Sequence, residues 1–458
     1  MPSSQPSPPR AEALPLGLKL TYAFGNFGFS MLLSTVSFFL LFFYTDVVGV
    51  APALASSALL IGKIWDIVND PLFGWLTDRT HSRFGRRRVY LIFGAAPMAL
   101  TTFLLWSMPP GLSPAWAFLW IALSYILFDT CFTLTQVPYW ALAPELTQDY
   151  DERTSLTAIT GFGLLFGFFG GSILLRLISG RFADPHAGYL VAGAVVGGLV
   201  GGVLGFAAWR IREPAQFRAQ TTNLPIFAAI RATFRNRPFN FLLAAFSLAR
   251  LGFMLTTTFL AYFVTYQLQA PGKLPLTLLV NMTAIGVFIF FWKWVSDRTS
   301  KGMAYAFGLV VMAAALALSF RVQPGQLLFF FLIIALIGVG NSAHWVIPLA
   351  MLPDVVEEDE LHTGQRREGM YYGVYGLADK IMRTLGVVGA GWVLQGFGYV
   401  AHAAQTPQAL LGIRLFFGLL PAILILLALP FLFFYPVSRR SHADLRRRLE
   451  RPESPAAG

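Results

Sequence analysis

The sequence predicts an all-α polytopic membrane protein whose twelve transmembrane helices form two six-helix halves. Three observations predict it. Only 12% of the 458 residues are charged and 56% are hydrophobic, whereas soluble domains carry roughly 25% charged residues. Mean hydropathy is +0.61. Twelve apolar runs are long enough to cross a bilayer, which takes about 20 residues. Finally, two motif pairs repeat at similar offsets across the middle of the chain.

The apolar runs cover approximately 18–45, 53–77, 89–108, 115–140, 155–179, 187–209, 239–267, 275–294, 303–321, 326–350, 369–396 and 408–435. No alternating ten-residue pattern of a β-barrel is present, so the spans are helices, which satisfy their own backbone in hydrocarbon. Residues 1–16 are Pro/Ser-rich and lack a charged start followed by an apolar core with a cleavage site; they read as a disordered tail. Cys131 is the lone cysteine and lies in an apolar run, which excludes a disulfide framework and a thiolate metal site.

The net charge of +11 does not point to nucleic acid, because the Lys and Arg residues cluster between apolar runs. The loops after spans 2, 6, 8 and 10 carry Arg83, Arg86, Arg87 and Arg88, then Arg210 to Arg237, then Arg298 and Lys301, then Arg366 and Arg367. The last tail carries Arg439, Arg440 and Arg446 to Arg448, and the alternate loops are poor in both residues. The positive-inside rule therefore places both termini in the cytoplasm of a multi-pass cell-membrane protein. The expected organisation is a bundle at 17–210, a cytoplasmic loop at 211–238, a second bundle at 239–436 and a basic tail at 437–458.

The repeat supports two halves. GWLTDRT (Gly74–Thr80) leaves span 2 and KWVSDRT (Lys293–Thr299) leaves span 8, with Asp297 lying 219 positions after Asp78 (297 − 78). VPYWALAPEL (Val137–Leu146) and VIPLAMLPDV (Val346–Val355) end spans 4 and 10, with Pro353 lying 209 positions after Pro144 (353 − 144). Duplicated halves place a substrate path between them.

Chemistry concentrates in span 2. Asp66, Asn69 and Asp70 stand at i, i+3 and i+4, so all three share one helix face. Asp66 lies about 20 Å below the outer end of the span, near mid-membrane. Intramembrane acids are costly; they either pair with bases elsewhere in the bundle or perform a task. Carboxylate, amide and hydroxyl oxygens suit a hard monovalent cation, and paired carboxylates can equally share a proton.

Span 4 adds Asp129, Thr133 and Gln136 at i, i+4 and i+7, followed by Trp140. Thr133 either supplies a further oxygen or bonds its own backbone. Gln136 and Trp140 can hold a polyol, or Trp140 can serve as an interfacial anchor. The intramembrane bases are Arg250 in span 7 and Lys380 and Arg383 in span 11, beside Asp379; the acids outnumber these bases by one. Asn341, His344 and Trp345 of span 10 can face the same cavity. Asp78 and Arg79 with Arg86 to Arg88, and Glu145 with Arg153, read as clasps at the helix ends or as topology signals. The chain has no phosphate-binding glycine loop, nucleophile elbow or histidine metal pair, so an ATP-driven pump or membrane enzyme has nothing to work with.

These residues resemble a known family. Gly74-x-Leu76-x-Asp78-Arg79 with its Arg cluster is similar to the loop motif of the major facilitator superfamily. WDIVNDP (Trp65–Pro71) with SRFGRRR resembles the glycoside–pentoside–hexuronide:cation symporters, most closely the melibiose permease-like branch. The resemblance continues through YAFGNFG (Tyr22–Gly28), FYTDVVG (Phe43–Gly49), VPYWALAPELT (Val137–Thr147), PDVVEEDELHTGQRREGMYYGV (Pro353–Val374), Lys380 and QALLGIRLFFGLLP (Gln408–Pro421). It implies the major facilitator fold, a cation site at Asp66, Asn69, Asp70 and Thr133, and a coupling role for Lys380. The galactoside ligands of that branch are charged, whereas the positions here that line up with them are Ser30, Gln136 and Gly161; Trp140 is retained. The chain also resembles the lysophospholipid transporters of the wider family in DPLFGWL, FLLWSMPPG and MLPDV.

The expectation is a symporter coupled to Na⁺ or H⁺ that imports a sugar, glycoside or related small polar solute. The alternative is a cation-linked carrier of lysophospholipid or another amphiphile. Asp66 and Asp70 would hold the monovalent cation with Asn69 and Thr133. Asn26, Ser30, Asp129, Gln136, Trp140, Trp345 and Lys380 would meet the solute. Lys380, Arg250, Arg383, Asp78, Arg79, Glu145 and Arg153 would couple or gate. A monomer in contact with membrane lipid is expected, with no cofactor beyond the ion and no nucleic-acid partner.

Overall fold

A computed structural model describes residues 14–80, 82–146, 150–211, 233–363, 368–401 and 403–435. Among the described residues the chain forms twelve long helices and no strand. Helix α1 is Leu16–Thr35, prolonged by π-helical turns at Val36–Leu40 and Phe43–Val47. It is followed by α2 (Pro52–Arg79), α3 (Arg88–Leu105), α4 (Pro114–Leu146), α5 (Tyr150–Ser179) and α6 (Pro185–Arg210). The second half holds α7 (Arg237–Tyr262, continued by a π turn at Phe263–Gln267), α8 (Leu274–Arg298), α9 (Lys301–Ser319), α10 (Leu327–Thr363), α11 (Glu368–Gly396) and α12 (Pro407–Phe433).

Ten of these helices are long and apolar enough to cross a membrane. The two that fall short on apolarity, α2 and α11, have 28 and 29 residues and so ample length. They are the helices that carry Asp66, Asp70, Asp379, Lys380 and Arg383, and they pack against each other. Residues 1–13, 212–232 and 436–458, together with Arg366 and Arg367, lie outside the described residues.

Local chemistry sets the helix starts. Asp184 accepts from His186 N and Ala187 N at 3.0 and 3.2 Å ahead of α6, and Asn236 accepts from Phe239 N at 2.9 Å ahead of α7. Ser300 and Thr406 cap α9 and α12 in the same way. Each satisfies a backbone donor that the first turn leaves orphaned.

The repeat reaches further than the two motifs. The π turns at Phe43–Val47 and Phe263–Gln267 begin 220 positions apart (263 − 43). Val48 N bonds Phe43 O at 3.0 Å and Leu268 N bonds Phe263 O at 2.9 Å. Gly49 and Gln269 then take the same left-handed turn, at φ +86° and +55°. Glycine enters that region freely, whereas glutamine pays roughly 1–2 kcal/mol for it.

The halves are joined at two levels. At the face away from the termini, Thr45 Oγ1 meets Tyr262 OH at 2.8 Å, and Tyr266 and Tyr399 both donate to the buried carboxylate of Asp46. Alongside, Ala53 N donates to Gln395 Oε1 at 2.9 Å and Trp392 Nε1 to Ser57 Oγ at 3.2 Å. At mid-depth the link is Lys380 of α11 with Asp66 and Asp70 of α2. That face is therefore closed. Within the first half, Gly163 and Gly167 of α5 lie against the carbonyls of Ala23 and Phe27; a Cβ there would come within 2.5 and 2.2 Å of them.

Candidate functional site

The site is built where α2 passes between α4 and α11. A Cβ on Gly62 would lie 2.3 Å from the Tyr125 ring, so the bare glycine lets α2 and α4 approach closely. Trp65 Nε1 donates to Thr130 Oγ1 at 2.9 Å and fixes the rotation of α2 about its axis. One turn on, Asn69 Nδ2 donates to Asp129 Oδ2 at 2.6 Å, with both side chains buried. Thr133 Oγ1, a turn along α4, lies 3.3 Å from Asp70 Oδ1.

From the opposite side α11 delivers Lys380. Its ammonium bonds Asp66 Oδ1 at 2.8 Å and also Asp70 Oδ2, and lies 3.5 Å from the Asp66 carbonyl. Asp66, Asn69, Asp70, Thr133 and Lys380 are thus brought together from three helices. One atom of the group has no partner: Asn69 Oδ1 is buried and unbonded. A buried acceptor left alone costs on the order of 1–3 kcal/mol, so it marks a place where a donor or cation belongs.

Two expectations shift. Asp129, expected on the solute side, is turned to α2 because it shares a helix face with Thr133, and it joins the acid group. Ser30 donates to Leu164 O at 2.6 Å, so its hydroxyl is spent on the α1–α5 contact. The other solute candidates of the first half are better placed. Trp140 is half exposed and donates through Nε1 to Asn26 Oδ1 at 2.9 Å, while Asn26 Nδ2 donates to Tyr22 O at 3.0 Å. Gln136 Nε2 is buried without a partner.

The second half presents a separate cluster. Asp379 Oδ1 lies 2.5 Å from Arg250 Nε in an ion pair without hydrogen-bond geometry, while Oδ2 accepts from Arg383 Nε at 2.8 Å and lies 2.6 Å from the Arg383 terminal nitrogen. The Arg250 guanidinium lies over the Trp345 ring at 5.8 Å and the Phe253 ring at 5.4 Å. His344 Nδ1 bonds Tyr305 OH at 2.8 Å, which makes it a packed histidine rather than an open ligand.

Sequence reasoning overlooked several residues. Lys63, one turn before Asp66, lies over the Tyr125 ring at 5.0 Å. Among the described residues it brings the bases near mid-membrane to four, against the four acids Asp66, Asp70, Asp129 and Asp379. Asp46, within FYTDVVG, accepts from Tyr266 and Tyr399 of the other half. Lys301 holds both oxygens of Asp354 at 2.7 Å, clasping α9 to α10, and Lys19 pairs with Glu152 at 2.8 Å, clasping α1 to α5. The repeat carried a signal for the first, since Pro353-Asp354 repeats Pro144-Glu145. Arg88 donates to Ala208 O at 2.5 Å and Trp209 O at 3.3 Å, tying α3 to α6. Arg79 is exposed, and the side chains of Asp78, Glu145 and Arg153 lie outside the described residues.

With this geometry in view, comparison with known proteins is decisive for the family. A family model described as MFS/sugar transport protein matches residues 21–439. The chain belongs to this family. An uncharacterized symporter of Synechocystis is 32% identical over 96% of this chain and 97% of its own length. The mouse sodium-dependent lysophosphatidylcholine symporter 1 is 26% identical over 98% of this chain and 91% of its own length. Among solved structures, a bacterial homologue of the human lysosomal transporter Spinster, inward-facing and unoccupied, shares the fold at a TM-score of 0.68 and 13% identity, covering 96% of this chain and 98% of that one. This member of the MFS/sugar transport family is a multi-pass membrane transporter with the major facilitator fold, and not an enzyme.

Proposed function

We propose that this transporter is a symporter that couples the import of a sugar or related small polar solute to a monovalent cation, with Na⁺ as the ion. The observation that carries the reading is the Lys380 ammonium held between Asp66 and Asp70, beside the orphaned Asn69 Oδ1. A tethered cation occupies the ground that a free one would take. Two carboxylates, an amide oxygen and a hydroxyl make an all-oxygen set, which fits a hard metal ion. A proton can serve one carboxylate but leaves the amide acceptor unsatisfied, which favours Na⁺ over H⁺.

On this reading the coupling is an exchange. Na⁺ displaces Lys380 from Asp66 and Asp70, and the mid-depth link between α2 and α11 is released. Asn26, Gln136 and Trp140 offer amide and indole groups to the solute in the first half. Both ligands act on the same conformational equilibrium, and their reciprocal effect is the coupling. The closed face with the Asp46 cluster is the external one, the termini are cytoplasmic, and the residues 17–210 and 239–436 are the two rocking bodies.

The test is uptake into proteoliposomes under an imposed Na⁺ or H⁺ gradient, using a panel of sugars, uronates and lysolipids. Asp70→Asn should reduce gradient-driven accumulation to the level of empty liposomes while the purified protein keeps its melting profile. Accumulation that survives this change would sink the cation assignment. Uptake of lysolipids alone would move the cargo to amphiphiles.

A further inference from the structure

The charges near mid-membrane balance in number but not in place. Among the described residues, Asp66, Asp70 and Asp129 face Lys63 and Lys380, leaving the α2–α4 cluster one negative charge in excess. Asp379 faces Arg250 and Arg383, leaving the α7–α11 cluster one positive charge in excess. A buried charge without a counter-ion is costly, and an unpaired guanidinium cannot relieve itself by losing a proton. Both carboxylate oxygens of Asp379 already lie against a guanidinium, Oδ1 against Arg250 and Oδ2 against Arg383.

The wall beside this cluster also holds unused hydrogen-bonding groups. The Asn341 amide is fully buried, and neither its oxygen nor its nitrogen has a partner. Trp345 Nε1, one helical turn along α10 and on the ring that lies under Arg250, is buried and unpartnered as well. Asn341, His344 and Trp345 share a face of α10, and His344 Nε2 is a fourth such atom. An amide, an indole N–H and two guanidinium groups are a donor-rich set.

We propose that Arg250, Arg383, Asn341 and Trp345 form an anion subsite, so that the solute carries a carboxylate or phosphate group. This rests on the symport reading and extends it. Arg383 is the group that meets the anion: it is the more exposed of the two arginines, at 24% against 6%. Lys380 stands three residues before it on α11, on the same side of the helix. When Na⁺ displaces Lys380 from the acids, its ammonium becomes available beside the Arg383 guanidinium. Cation binding would thereby create the electrostatic partner of the solute, and this couples the two sites. The oxyanion has two sources of the same chemistry, a uronate and a lysophospholipid headgroup.

Equilibrium binding to the purified full-length protein tests this, using two matched pairs: D-glucuronate against its methyl ester, and lysophosphatidylglycerol against monoacylglycerol. The charged member of at least one pair should bind about tenfold or more tightly in Na⁺, the worth of one charge-assisted hydrogen bond. Arg383→Gln should erase that preference, and Arg383→Lys should restore most of it. Equal binding within both pairs, no binding of either anion, or a preference that survives Arg383→Gln would each overturn the proposal. Binding of ²²Na⁺ measured on the same samples reads the cation site independently. Its loss alongside an intact anion preference would sink the symport reading and leave the subsite standing.

Discussion

The acid cluster on α2 and the basic cluster on α7 and α11 solve the same problem in opposite ways. Each places ionised groups at mid-membrane, where desolvation is severe. The basic cluster is bridged within its own half: Asp379 pairs with both Arg250 and Arg383, the latter at i+4 on the same helix. The acid cluster is not, and borrows Lys380 from the other half. A cluster whose pairs lie within one half can keep them as the halves move. One that is satisfied across the interface must change when they part, and so it is fitted to be the switch.

Changes that remove a buried counter-charge should distinguish the two most strongly. Asp379→Asn leaves two guanidinium groups facing each other, and is expected to destabilise the protein by about 3–5 kcal/mol, read as a lowered midpoint in thermal melts of the nanodisc-embedded protein. A melt indistinguishable from the parent would mean the cluster is solvated and the comparison fails. Lys380→Gln acts on the borrowed side. It should tighten Na⁺ binding by about tenfold, because the tethered competitor is gone, an exchange worth ~1.4 kcal/mol, while solute accumulation is lost. Weaker Na⁺ binding in ²²Na⁺ assays would show that Lys380 supports the site instead of filling it.

Smaller effects are expected where hydrogen bonds, and not ion pairs, are changed. Asp46→Asn replaces an ionic acceptor with a weaker neutral one for Tyr266 and Tyr399. It should loosen the closed face by about 1–3 kcal/mol, seen as faster labelling of a cysteine introduced at Ser57; unchanged labelling would remove Asp46 from the latch. Trp140→Phe deletes a single donor to Asn26. A rise in solute KM of roughly fivefold, for ~1 kcal/mol, is expected with no change in Na⁺ affinity.

The α2 face was legible because acids at i and i+4 in an apolar run are rare, and helical spacing alone puts Asp66, Asn69 and Asp70 together. The pairing of α2 with α11 was not legible, since no local pattern connects Asp66 to a lysine 314 positions away (380 − 66). Asp46 escaped notice because an acid at the end of a span reads as an interfacial residue. Its partners Tyr266 and Tyr399 are polar only at the tip of an otherwise apolar ring. A clue was present: Phe43-x-Thr45 and Phe263-x-Thr265 repeat at 220, which sets Asp46 opposite Tyr266 across the pseudo-twofold. Asp129 was misplaced for a different reason. Its spacing shows which α4 residues share a face but not which neighbour that face meets. The charge partition was hidden by counting acids and bases over the whole membrane, where a surplus in one cluster cancels a deficit in the other.

That cancellation has an electrical consequence. Among the described residues, four acids and four bases lie near mid-membrane, so these groups of the empty carrier present no net charge to the transmembrane field, which otherwise acts at about 2.3 kcal/mol per elementary charge per 100 mV. Loading one Na⁺ with one monovalent anion restores the same balance. Neither the loaded nor the empty reorientation would then be driven by voltage, so accumulation would follow the Na⁺ concentration ratio alone and the carrier would run as well across a depolarised membrane as across an energised one.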